Sequence, residues 1–297
     1  TSLAENSGTT VTLTATSSST SSSNITVTLA TSGTGTDGTD YSAVNGTTIT
    51  ISAGDTTGTK TFTITDDSIY EGNETAIVAI SGVSGGNAVE SGNQSVTLTI
   101  TENDSAPTVT LATSSSSVAE NASTTVTLTA TTSTTSSIDI VVTLGVTGTA
   151  TEGTDYSAID ESITISAGDT TGTKTFTMTD DSVYEGDETV IVAISSVSNA
   201  TENGTQSVTT TISENESSPT VQISSSASSV YDNGMSLTIT ATSSQVADEA
   251  ITVVIGTSGT ATEGTDYATV ANITIAAGST TGTSTFDPTA DTAVSYT

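Results

Sequence analysis

The sequence predicts an all-β fold: tandem antiparallel β-sandwiches of immunoglobulin-like kind, arranged end to end. Three observations predict it. Apolar residues alternate with Thr in short runs, as in Thr10–Thr16 through Val11, Leu13 and Ala15, which is the pattern of a half-buried strand. About seven such runs fall in each ~110 residues, with no helical periodicity between them. Motifs also recur at a long interval. The acidic stretch at residues 66–75 (Asp-Asp-Ser-Ile-Tyr-Glu-Gly-Asn-Glu-Thr) returns almost unchanged at residues 180–189, 114 residues on. Asp40-Tyr41, Asp155-Tyr156 and Asp266-Tyr267 each follow a Gly-Thr pair. A period this long marks a string of small domains rather than a solenoid. The expected units are residues 1–104, 105–216 and 217–297.

In the first unit the expected strands run in order. Residues 10–16 come first. Residues 24–31 follow through Ile25, Val27 and Leu29, and residues 47–52 through Ile49 and Ile51. Then come residues 59–65 with Phe62 and Ile64, residues 75–81 with Ile77 and Val78, and residues 95–101 with Val96, Leu98 and Ile100. The second unit opens with a further strand at residues 107–111, for which the first unit has no counterpart. The third unit departs from the repeat after Phe286, where Asp287-Pro288 replaces the usual alternation, so its last two strands are expected to be missing. The sequence is therefore expected to be a piece of a longer protein, or to exchange strands with a neighbour. The linkers at residues 102–106 and 214–218 are short, so adjacent units should touch.

Composition narrows the chemistry. Among 297 residues, 33 are acidic and 2 basic, for a formal net charge of −31. A charge this negative argues against nucleic acid and anionic membrane surfaces as partners, and it attracts cations. Cys, His and Trp are absent. Disulfides, thiolate metal sites, Ser-His-Asp catalysis and ordinary zinc sites are thereby excluded. No apolar run approaches the ~18 residues that suggest a membrane span.

Strand alternation decides where the acids go. Successive antiparallel strands reverse direction, so alternate loops share one end of a sandwich. In the first unit that end collects Glu5, Asp40, Asp66, Asp67, Glu71, Glu74, Glu102 and Asp104. These are eight of the eleven acids among residues 1–104. The matching set in the second unit is Glu120, Asp155, Asp180, Asp181, Glu185, Glu188, Glu214 and Glu216. The third retains Asp232, Asp266 and Asp291. Two carboxylates about 4 Å apart repel by roughly 4 kcal/mol at an effective dielectric near 20, so such a cluster takes up protons or a cation. Hard oxygen donors on Gly-containing turns favour calcium, which accepts 6–8 oxygens. Against this stands the plain alternative of a solvated acidic end.

The same residues resemble the Calx-beta family. The resemblance is carried by Ala4-Glu5-Asn6 and Ala119-Glu120-Asn121, by the Gly-Thr-Asp-Tyr motifs ending at Tyr41, Tyr156 and Tyr267, by the two long acidic motifs and by Thr101-Glu102-Asn103-Asp104. It implies seven-stranded sandwiches that bind calcium at one end, with the early Glu, the Asp before Tyr, the double Asp, the Glu pair and the closing acidic triplet as ligands. This sequence departs from the family pattern at Ser68 and Ser182, where a third Asp is common, and at Glu214-Asn215-Glu216.

Lys60 and Lys174 are equivalent and share strand parity with apolar residues, which predicts inward-leaning stems with their heads at the surface. The alternative at these positions is an intramolecular isopeptide bond. Paired carboxylates can also suggest a glycosidase, but no aromatic platform accompanies them, so no enzymatic activity is expected. The expected role is a calcium-binding structural or adhesive repeat region of a secreted or cell-surface protein. Calcium at the junctions would stiffen a rod or filament, with neighbouring repeats or copies of the chain as partners. The alternatives are a ligand-binding adhesin module for glycan or protein, and the calcium-sensing module of a larger protein.

Overall fold

The computed structural model describes residues 1–290. The first unit contains β1 (Ser2–Ala4), β2 (Thr10–Thr16), β3 (Ile25–Gly33), β4 (Thr48–Ile51), β5 (Thr57–Thr63), β6 (Glu74–Ser84) and β7 (Ser95–Thr101). The second contains β8 (Thr108–Thr113), β9 (Ser117–Ala119), β10 (Thr125–Thr132), β11 (Ile140–Gly148), β12 (Ser162–Ile165), β13 (Thr171–Thr177), β14 (Glu188–Ser198), β15 (Thr201–Glu202) and β16 (Ser207–Ser213). The third contains β17 (Val221–Ser225), β18 (Leu237–Ser243), β19 (Ile251–Val253), β20 (Ile273–Ile275) and β21 (Thr281–Phe286). The all-β expectation holds. The long strands fall where Thr alternates with Val, Ile or Leu, because branched side chains pack well on a pleated, half-buried surface.

The second unit is a closed sandwich. One sheet has the order β12-β11-β14-β16-β9, the other β13-β10-β8-β15. Val126, Leu128, Val142, Ile163, Phe176 and Val192 fill the space between them, each at most 1% exposed. Tyr156 meets Phe176 edge-on at 5.8 Å. The first unit repeats the larger sheet as β1-β7-β6-β3-β4, with the same β-bulge at Thr28/Leu29 that the second has at Thr143/Leu144. Its other sheet is only β2 paired with β5. The place that β8 fills on β10 is here an open cleft of about 1200 Å³, lined by Leu13, Val27, Leu29, Phe62, Val78 and Leu98 among others. In the second unit Val109 and Leu111 of β8 occupy that place, 0% and 7% exposed.

The third unit pairs β17-β18-β21 and, separately, β19-β20. Its buried apolar residues include Ala241, Ile273 and Ile275, whereas Ile223 is 60% exposed. Counterparts of β14 and β16 are lacking among the described residues, as the sequence predicts.

Two features escape the periodicity. β1 and β9 are three-residue strands that pair parallel to β7 and β16. Each runs straight into a one-turn 3-10 helix, Glu5–Ser7 and Glu120–Ala122. Three residues are too few to show an alternation, yet these elements set the depth of Glu5 and Glu120. β3 and β11 end in Gly33 and Gly148, at φ +117° and +134°. A Cβ there would lie 2.1 Å from the Thr75 carbonyl oxygen and 2.0 Å from that of Thr189. Only glycine lets these strand ends close over the beginnings of β6 and β14, where Glu74 and Glu188 sit.

Candidate metal centres

The alternating strands bring the acids to one end of each of the first two units, where they form four compact groups. Within each group one carboxylate oxygen per residue lies within 4.8 Å of the others. In the first unit the groups are Glu5, Asp67 and Asp104, and Asp40, Glu71 and Glu74. In the second they are Glu120, Glu214 and Glu216, and Asp155, Glu185 and Glu188. Each group contains one deeply buried acid: Glu5, Asp40, Glu120 and Asp155 are all 4–5% exposed.

Local hydrogen bonds fix these side chains. Asp40 and Asp155 each turn one oxygen back to accept from a backbone N–H four residues earlier, Thr36 and Thr151 (2.6 Å for the latter). Asp67 and Asp181 accept from the backbone of Ile69 and Val183, both at 2.7 Å, which shapes the acidic loop. Glu102 organises its surroundings through the backbone. Its Oε2 accepts from the N–H groups of Glu71 and Gly72 at 2.6 and 2.8 Å, and its Oε1 from those of Asn103 and Asp104. Glu214 repeats this with Glu185, Gly186, Asn215 and Glu216.

The remaining expected residues divide. Glu102 and Asp181 lie beside the groups without joining them. Asp66 accepts from the Asn103 side chain at 3.3 Å, and the Asp180 charge acts on both Glu120 and Glu216. In the third unit Asp266 accepts from the Thr262 N–H at 2.6 Å and Asp232 is exposed. Among the described residues no group of three acids forms there. Asp291 lies outside the described residues.

Electrostatic crowding is severe. Burial, then a hydrogen bond shared with Asp40, pushes the Glu74 carboxyl up to about 8 from an ordinary 4.5, and Glu188 beside Asp155 behaves the same way. Burial and the Glu102 charge raise Glu5 to about 7, and burial with the Asp155 charge raises Glu185 to about 7. Burial also works to raise Glu214, but backbone N–H groups of Glu216, Glu185 and Gly186 outweigh it and hold that carboxyl low. Lys60 and Lys174 lie on β5 and β13, and Lys174 is half-buried and pairs with Asp160 at 2.7 Å. No lysine thus neutralises the four groups.

The donor set fits a hard divalent cation. Every donor is a carboxylate oxygen, and no soft ligand is near. Asp104 Oδ2 and Glu216 Oε2 are buried and lack a hydrogen-bond partner, which leaves lone pairs free at the Glu5 and Glu120 groups.

One contact at the acidic ends crosses from one unit to the next. The loop after β10 in the second unit docks on the acidic turn of the first. The Tyr70 carbonyl accepts from Ser136 Oγ at 2.8 Å and from the Ser137 N–H at 3.1 Å. The next junction repeats this: the Tyr184 carbonyl accepts from the Asp248 N–H at 3.2 Å, and the Tyr184 N–H donates to Val246 at 3.1 Å. Asp248 thus faces an acidic end from the neighbouring unit.

Fold and site together define a tandem array of antiparallel sandwiches with carboxylate centres at one end of each complete copy. The profile of the Calx-beta domain matches residues 1–104, 102–216 and 214–281, and the chain belongs to the Calx-beta domain family. Among solved structures it is similar to CBD12 from CALX1.2, at 16% identity over 71% of this chain and 95% of that one, with a TM-score of 0.31. It is similar to the calcium binding domain CBD12 of CALX1.1, at 17% identity over 66% and 77% of the two chains, with a TM-score of 0.31. The apo-form Calx CBD1 domain gives 18% identity over 37% of this chain and 98% of that one, with a TM-score of 0.31. A search of curated proteins finds no match.

Proposed function

We propose that this chain is a calcium-binding structural repeat region, in which ions at the ends of the first two units hold adjacent sandwiches in line. One observation carries the reading. Four acids 4–5% exposed each sit in a group of three carboxylates, and the chain's two lysines lie elsewhere. Burying unpaired charge costs several kcal/mol per ion, so the ionised groups call for a cation. Calcium suits them because it accepts 6–8 oxygens in flexible geometry, whereas magnesium demands a near-ideal octahedron. Family membership supports the same ion.

The position of the sites suggests their purpose. Glu71 and Glu185 directly follow the tyrosines that bond the next unit. An ion there neutralises repulsion between neighbouring acidic loops and fixes the turn on which the next sandwich rests. With free calcium about a thousand times the dissociation constant, one site adds roughly 4 kcal/mol to stability. A net charge of −31 and the tandem array of Calx-beta units favour a secreted or cell-surface setting, where the array is a spacer or adhesive rod rather than a catalyst.

Calorimetric titration with calcium tests the binding. The wild-type chain is expected to bind several ions. The pair Asp40→Asn and Asp155→Asn should lose about 100-fold in affinity at the altered groups, since even outer-shell changes typically cost 10–100-fold. A wild-type chain that takes up no calcium would refute the proposal.

A further inference from the structure

The first unit keeps the receptacle for a strand that, among the described residues, it does not contain. Its β2 pairs with β5 along one edge, and its other edge borders the cleft. In the second unit β8 takes that edge of β10, with Val109 opposite Thr132 and Leu111 opposite Ala130. In the third unit β17 does the same on β18, with Val221 opposite Ser243 and Ile223 opposite Ala241. Both strands are led by Pro-Thr and set a Val two residues before a Leu or an Ile, with no charge among them. The facing wall of the cleft is preserved as well. In the second unit the N–H groups of Thr201 and Asn203 donate to the carbonyls of Pro107 and Val109 at 2.8 and 2.9 Å, and Gln206 Oε1 accepts from the Leu111 N–H at 3.3 Å. Gln206 is held in place by its own N–H on Glu202 and its side-chain amide on the Asn203 carbonyl. In the first unit the counterparts are Val89, Ser91 and Gln94, which line the cleft. Gln94 is held the same way, by its N–H on Glu90 at 2.8 Å and its side-chain amide on the Ser91 carbonyl at 2.7 Å, so its Oε1 is posed to accept from an incoming strand. Apolar surface is left uncovered there. Val89 is 87% and Val96 56% exposed, whereas Val208, the counterpart of Val96, packs on the core of its own unit.

We propose that the cleft of the first unit is a strand-binding site, which takes an extended, uncharged segment with apolar residues at alternate positions from a second copy of this chain. Unpaired backbone groups along a sheet edge template a further strand, and pockets for alternate side chains select it. In the register of β8, the two apolar residues of the incoming strand lie opposite Ser17, just past β2, and Ala15 within it. The chain carries one more segment of this pattern, Thr292-Ala293-Val294-Ser295-Tyr296, in which Val294 and Tyr296 are spaced as Val109 and Leu111 are. It belongs to residues 291–297, which lie outside the described residues, and it matches in length the run from Pro107 to Leu111. After Asp291 it holds no charge, so it can enter an apolar cleft without burying an ion. A segment of one copy feeding the first unit of the next is a head-to-tail contact, which extends into an open row of copies rather than closing as a two-fold dimer. The inference stands apart from the calcium reading: none of the eight acids at the acidic end of this unit lines the cleft.

Sedimentation of the full chain at increasing concentration tests this, at about 0.15 M salt, where repulsion between copies is screened beyond about 8 Å. The wild-type mass is expected to rise above that of one chain. A chain stopping at residue 290 should keep the mass of one chain, and Val294→Asp should raise the concentration needed for assembly about tenfold or more, because it would bury an unpaired charge. A further variant carries residues 105–115 directly ahead of Thr1, which rebuilds on the first unit the connection that joins β8 to β9. It should also keep the mass of one chain while melting at a higher temperature than wild type, which shows that a filled cleft rather than a damaged fold stops assembly. A peptide of residues 105–113 added in excess should bring the wild type back to the mass of one chain. If the wild type keeps that mass at every concentration, or if loss of residues 291–297 leaves its assembly unchanged, the proposal is overturned. A peptide that fails to bind overturns it too, since the cleft then takes no strand. Calcium uptake is measured separately and decides neither outcome.

Discussion

In the second unit β10 is flanked by β8 and β13; in the first, β2 has β5 on one side and the open cleft on the other. The acidic ends are nevertheless built alike. Both have a buried Glu on a 3-10 turn, a buried Asp before Tyr, and a closing Glu that accepts four backbone N–H groups. All of these come from the loops of the larger sheet and from the turns into and out of it. The smaller sheet contributes core instead. Site geometry and sandwich stability are therefore separable: the first depends on glycine-closed strand ends and backbone-anchored carboxylates, the second on whether β8 or its like covers the apolar face.

The largest expected difference lies in the core. Phe176→Ala in the closed second unit should cost about 3–5 kcal/mol, the usual range for a buried aromatic. Phe62 is also buried, 2% exposed, and meets Tyr41 edge-on at 5.7 Å, but it borders the open cleft, so Phe62→Ala should fall near the bottom of that range. Calorimetry that separates the unit transitions would measure both, and equal losses would show that the cleft is closed in solution.

Next in size is the ion. Glu188→Gln should lower calcium affinity at its group about 100-fold, which corresponds to roughly 2.7 kcal/mol. Glu74→Gln should do the same in the first unit, because the two groups share their architecture. A marked inequality would tie metal binding to the completeness of the smaller sheet.

Smaller still is the effect of the strand ends. Gly148→Ala and Gly33→Ala should each destabilise by about 1–3 kcal/mol, through an unfavourable φ and contact with a backbone carbonyl. Both should also weaken calcium binding, since Glu188 and Glu74 begin the strands they close over.

Proton linkage gives the gentlest test. Glu5 and Glu185 sit near 7, and Glu74 and Glu188 near 8, when folded, against an ordinary 4.5. Between pH 4.5 and about 8 the folded chain holds protons that the unfolded chain has released. Stability without calcium therefore falls as pH rises through that window. With calcium the trend should reverse, because the ion needs the carboxylates deprotonated. Melts from pH 5 to 8, in EDTA and in calcium, would show the crossing.

Much of this was legible in the sequence. Thr alternation located the long strands to within a few residues, because a period of two survives even where the apolar residue is only Ala. Segregation of the acids needed only the reversal of successive strands. The grouping was not legible. Glu102 works largely through backbone N–H groups, and Asp66 and Asp180 stand beside the groups, because turn geometry decides which carboxylates converge. Asp248 was hidden for another reason. Within its own unit it lies at the end away from the acids, and only the docking of one unit on the next ties its N–H to Tyr184.

The central claim is that calcium at the acidic ends holds the array together. A thermal melt of the chain in millimolar calcium and again in excess EDTA, with small-angle scattering to follow its length, tests it most directly. The account predicts a large fall in melting temperature and a shorter, more flexible particle in EDTA. An unchanged melt and an unchanged scattering profile would contradict it and reduce the acidic ends to solvated loops.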